Sequence, residues 1–196
     1  MNIWSILKIV FLSTLGLVLL TYLTVEPPKK IDSKDVLLSN LPKTVELIGY
    51  EDKEFNTKSI IKPDTIIFVG NHESIAIAKD LENMLKLPIG RFVIISNISD
   101  APWFIKRWQA HTKNVKLKGE DSTPWIYDRD GSMRNFLKVP TSDALKYFIY
   151  HVKDKKIERI YIGKVKAGTI DGKISQDEVK NNLKDVVKTI KDLSTK

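Results

Sequence analysis

Four polar residues, Asn71, His72, Glu73 and Ser74, directly follow an apolar run that ends at Gly70. A histidine, a carboxylate and a hydroxyl are the ingredients of nucleophilic catalysis. Sequence neighbours at a helix start point in different directions, so a triad here needs partners from elsewhere in the chain. The other histidines, His111 and His151, stand at spacings that match no metal-binding pattern. The simpler expectation is that Asn71 caps a helix and that Glu73 sits near its positive end. No catalytic residue, metal or cofactor is expected.

The chain has no cysteine. Thiol nucleophiles, disulfides and Cys-ligated metal centres are therefore excluded. The net charge is +8. Its basic residues interleave with acidic ones, as in KDKKIERIYIGK, and no basic run with interleaved aromatics appears. Nucleic acid is not an expected partner. Attraction to anionic lipid headgroups is a more natural use of the excess.

The elements that position these residues begin with a membrane segment. Ile9–Val25 carries no charge, and Ile3–Leu7 extends the apolar stretch back across Lys8. That length suits one transmembrane helix, and no small-residue cleavage site follows. The expected organisation is a retained signal anchor over residues 1–28, a Pro-containing linker over 29–42 and one domain over 43–196. The short stretch before the apolar run predicts export of the domain. The expected location is the cytoplasmic membrane, single-pass, with the domain in the periplasm.

Within the domain, TVELIGYEDKEFNTKSI reads as two short strands, and DTIIFVG and RFVIISNI read as buried strands. A helix over HESIAIAKDLENMLK lies between the buried pair, with Ile77, Leu81, Met84 and Leu85 as its apolar stripe. Ser99 or Asp100 is expected to cap the next helix, PWFIKRWQAH. TPWIYD is a third strand and MRNFLKV a short helix. ALKYFIYHV and IERIYIGKV form a hairpin. Ser175 and Glu178 form a capping box for the last helix, which is expected to bury Val179, Leu183, Val186, Val187, Ile190 and Leu193. The order ββ–β–α–β–α–β–α–β–β–α implies an α/β fold with a mixed sheet covered on both faces.

This order, with the words VELIGYEDKEFNTKSIIKPDTIIFVG and TPWIYDRDGSMRNFLKVPTS, resembles the thioredoxin fold and, within it, exported redoxins. The resemblance spans about Thr44 to Leu193. The chain also resembles the small cysteine-free periplasmic family called YtfJ-like. The resemblance implies a thioredoxin-like domain with a mixed central sheet flanked by helices. It implies that Asn71, His72, Glu73 and Ser74 occupy the vestigial redox site, and that Pro140 matches a cis-proline beside a peptide-binding groove. The fold and groove carry over, while the reaction does not.

Trp103 and Arg107 are candidate partner anchors, since exposed tryptophan and arginine dominate interface energetics. Phe104 and Trp108 are expected to face inward. Val139 and Thr141 flank Pro140 on the same groove. The favoured expectation is a redox-inactive, membrane-anchored adaptor in a cell-envelope complex such as a flagellar motor, a secretion system or a cytochrome-assembly machine. Its partners would be other envelope proteins, with the membrane held through the N-terminal helix. The alternatives are a peptide-binding assembly factor using the groove, and an enzyme with non-thiol chemistry near His72.

Overall fold

A computed structural model describes residues 3–24, 36–50, 53–99, 111–139 and 143–194. The first element, α1, runs Ile3–Thr24. Its described side chains, residues 3–16 apart from Ser5, are all exposed. Ile3, Trp4, Leu7, Phe11 and Leu12 are each more than half exposed. Among the described residues no helix is long and apolar enough to cross a membrane.

The chain joins the domain at Val36 and Leu37. Leu37 bridges Lys156, the Leu38 N–H donates to the Lys155 carbonyl, and Leu41 is buried. Two three-residue strands follow, β1 (Thr44–Glu46) and β2 (Glu54–Asn56), paired antiparallel with Val45 opposite Phe55. A single helical turn, α2 (Thr57–Ile60), is capped by the Asn56 side chain on the Lys58 N–H.

The central sheet contains β3 (Ile66–Gly70), β4 (Phe92–Asn97), β5 (Trp125–Asp128), β6 (Lys146–Lys153) and β7 (Lys156–Lys164), in the order β5-β4-β3-β6-β7. β3, β4 and β5 run parallel, whereas β6 and β7 form an antiparallel hairpin against β3. Every residue of β3, β4 and β5 is buried. That is why these strands are continuous apolar runs rather than alternating ones.

Alternate residues feed two cores. Phe68, Ile94, Trp125, Tyr147 and Ile149 pack with α3 (Ala78–Leu85) and α6 (Gln176–Ser194). Ile67, Val69, Val93, Ile95, Phe148 and Tyr150 pack with Val45, Ile61 and α5 (Ser132–Phe136). Leu117 of α4 (His111–Lys118) joins the first core. The result is a mixed central sheet flanked by helices, consistent with a thioredoxin-like fold.

Three local expectations change. The chain after β3 enters a 3-10 turn, Ser74–Ile77, before α3 begins, so the helix starts later than the apolar stripe suggests. Val179, Leu183, Val186, Val187 and Ile190 are buried on α6, but Leu193, in the last turn of that helix, is 37% exposed. Ser175 does accept the Glu178 N–H at 3.3 Å. The Glu178 carboxylate, however, pairs with Lys166.

Candidate functional site

The polar stretch Asn71–Ser74 lies at the C-terminal end of β3, the central strand. In open α/β sheets, ligands gather at this end of the parallel strands. The structure shows a buried hydrogen-bonded belt there, built from the ends of β3, β4 and β5 together with α5.

Ser74 has no exposed surface. Its hydroxyl accepts the Asn71 N–H at 2.9 Å and donates to the Lys146 carbonyl at 2.7 Å. Asn71 is also buried, and its side chain does not cap the following helix. Its Nδ2 donates to the Asp143 carbonyl at 2.7 Å, and its Oδ1 accepts Nδ2 of Asn97 at 2.7 Å. The expected capping role is therefore corrected: no side-chain cap is made at Ser74–Ile77, where Glu73 is the N-cap residue.

The belt continues through β4. Ser99 donates its hydroxyl to Asn97 Oδ1 at 2.8 Å and also directs its N–H there, while the helix it was expected to cap begins outside the described residues. Nη1 of Arg134 donates to Ser99 Oγ at 3.2 Å. At the end of β5, the buried Asp128 accepts the Met133 N–H at 3.0 Å and the Arg134 N–H at 2.8 Å, one on each oxygen. Burial pushes its carboxyl up to about 6, against the opposing pull of those two N–H groups.

The remaining candidates are placed differently. His72 is exposed. The Glu73 carboxylate accepts the Ile170 N–H at 3.1 Å, tying the loop to a turn far along the chain. Thus neither histidine nor carboxylate is brought to the Ser74 hydroxyl, whose hydrogen bonds are taken by backbone. His111 packs edge-on against Tyr127, and its neighbour on α4, Asn114, donates to Ser96. Val139 is 2% exposed, so its side chain fills the core and leaves a partner only its backbone. Trp103, Arg107, Phe104, Trp108, Asp100, Pro140 and Thr141 lie outside the described residues, as does the expected cis bond before Pro140.

Asn97, Asp128 and Arg134 were not among the sequence candidates, and Ser99 was one only as a helix cap. Their signal was a polar residue closing each apolar strand, as in IISNIS and IYD. Hydrophobic periodicity does not reveal that those ends converge.

Replacing Ser74 with alanine is expected to cost about 1–3 kcal/mol, because it strips a buried acceptor from Asn71 and a donor from Lys146. Replacing the exposed His72 should change stability by less than about 0.5 kcal/mol. Urea denaturation of both variants measures the contrast, and equal effects would contradict the belt as described.

No family model matches this chain, and no curated protein matches it. Neither result supports the narrower resemblance to the YtfJ-like family. Among solved structures, the chain is similar to the bacterioferritin comigratory protein of Xanthomonas campestris, a peroxiredoxin studied for alkyl peroxide reduction. The two are 12% identical over 75% of this chain and 92% of that one, with a TM-score of 0.39. The fold assignment rests on strand order and the two covering layers. With no cysteine in the chain, an active-site thiol is absent.

Proposed function

We propose that this protein is a redox-inactive, membrane-anchored thioredoxin-like module that serves as a structural adaptor in a cell-envelope complex. The observation that carries the proposal is the buried belt. At the position where the resemblance places a redox nucleophile, Ser74 and Asn71 are spent on backbone and side-chain hydrogen bonds that brace β3, β4 and β6. Groups held this way stabilise a scaffold and offer no free nucleophile to a substrate.

The anchor is supported by α1. The described side chains of α1 are exposed and mostly apolar, and such a surface calls for another apolar medium to cover it. The sequence supplies a helix of 22 residues whose one charge is Lys8. The expectation of a span rests on the apolar run of the sequence, residues 3–25, interrupted only by Lys8. The domain on the outer side of the cytoplasmic membrane fits the resemblance to exported redoxins.

The test is affinity purification of the full chain from detergent-solubilised membranes, beside the His72→Ala variant. An adaptor gives the same partners in fixed stoichiometry from both. A folded His72→Ala protein that keeps its partners but loses cellular function favours chemistry at His72 and defeats the adaptor reading.

A further inference from the structure

We propose that the groove where the chain enters the domain is a docking site for anionic phospholipid of the membrane that holds α1. This inference rests on the membrane-anchor reading above.

The groove is about 410 Å³ and is lined by Leu37, Leu38, Ile61 and Pro63, with Lys58, Lys62 and Lys155 among its other walls. It is built where the entering segment crosses the start of α2 and the β6–β7 turn. Leu38 is held there by its N–H on the Lys155 carbonyl at 2.8 Å, and Asn56 caps α2 beneath Lys58. All three lysines and Pro63 are exposed, whereas Leu37 and Leu38 are half-buried and Ile61 closes the floor.

Among the described residues no carboxylate lines the groove. Of the acids beside it in sequence, Asp64 is 3.5 Å from Arg91, and Asp154 sits in the turn next to Lys155. Lys153 and Lys156 flank that same turn. An apolar slot rimmed by lysines matches one ligand chemistry: an acyl-glycerol body beneath a negatively charged phosphate. The lysine stems can lie along the apolar wall while the ammonium groups meet the phosphate.

Chain length selects the membrane as the source of that ligand. Eleven residues, 25–35, separate Thr24 of α1 from Val36. Even fully extended they reach at most about 40 Å. The first domain residues they deliver are the groove's own wall, so the tether keeps this face within reach of the bilayer surface. The linker's Lys29, Lys30 and Lys34 are balanced by Glu26, Asp32 and Asp35, so the basic excess on this face comes from the groove's own lysines. Basic groups so close to an anionic leaflet act within reach of its surface potential.

The experiment uses the full chain in nanodiscs of phosphatidylcholine alone, or with about 30 mol % phosphatidylglycerol. Amide hydrogen exchange is followed over residues 36–41 and 57–63. Docking predicts slower exchange there in the phosphatidylglycerol discs, by about five-fold or more, the effect of one basic residue near an anionic surface. The protection should vanish in 0.5–1 M salt and in the Lys58→Gln/Lys62→Gln/Lys155→Gln variant, while exchange in β3 and β4 stays unchanged as the fold control. Insertion into both discs with identical exchange overturns the docking site and leaves the anchor standing. Failure of the full chain to enter either disc overturns both. Protection that survives salt and the triple substitution assigns the contact to another surface and also defeats the proposal.

Discussion

Alanine in place of Gly70 is expected to destabilise the domain by about 3 kcal/mol or more, the upper range for overpacking a core. Gly70 is the last residue of β3, immediately before the belt. A Cβ there would lie 2.8 Å from the Ile75 Cα and 2.6 Å from an edge carbon of the Phe68 ring. The first obstacle is backbone and cannot rotate away. The Asn71–Ser74 turn folds back against its own strand, and only a residue without a side chain permits that approach. Relief would require the Ser74–Ile77 turn to move. That would pull Ser74 from the Lys146 carbonyl and Asn71 from Asn97. The effect should therefore exceed that of Ser74→Ala. A urea series on both variants, with near-ultraviolet circular dichroism as a second probe, measures this. A Gly70→Ala midpoint equal to that of the parent would show that the turn is not packed as described.

The second large effect belongs to Asp128. Removing its carboxylate with Asp128→Ala leaves two N–H groups at the start of α5 without their acceptor, at an expected cost of about 2–4 kcal/mol. Asp128→Asn retains one acceptor and should cost less. The pair also makes a signed pH prediction. Burial raises the folded-state value from 3.8 to about 6. A carboxylate raised on folding stabilises the native state while it is protonated. Its contribution is complete below the unfolded value, and is lost as pH rises towards 6. The loss amounts to about 3 kcal/mol over that window, taking two pKa units.

Asp80 and Glu82 are raised by burial in the same sense, whereas Asp121 is lowered and opposes them. Stability of the parent should therefore fall between pH 4 and pH 6, and Asp128→Asn should flatten that fall. Denaturation midpoints at half-unit pH steps give the slope directly. An unchanged slope in Asp128→Asn would place the proton uptake on other carboxyls.

Much of the architecture was legible in the residues. The runs IIFVG and FVIISN could only be strands buried on both faces, since no alternation offers a side to water. The stripe Val179, Leu183, Val186, Val187 and Ile190 fixed the inner face of α6, and ALKYFIYHV with IERIYIGKV announced the hairpin. These signals are local: each depends on periodicity within one segment. The absence of cysteine likewise needed no structure to exclude thiol chemistry.

The role of Asn71–Ser74 was a different kind of question. From sequence, Asn71 was a helix cap and Ser74 a hydroxyl beside a histidine. Only the parallel packing of β3, β4 and β5 brings Asn97, Ser99 and Asp128 to the same end of the sheet. Only the antiparallel return of β6 puts the Lys146 carbonyl within reach of Ser74, and Asp143 within reach of Asn71. A side-chain hydrogen bond is decided by which partners arrive within about 3 Å, and those partners are 26 and 72 residues away in the chain. The buried strands, the hairpin, the inner face of α6 and the missing thiol were legible in local sequence. Tertiary structure decided that the polar residues at the end of β3 brace the sheet, because only in the folded domain do their partners exist.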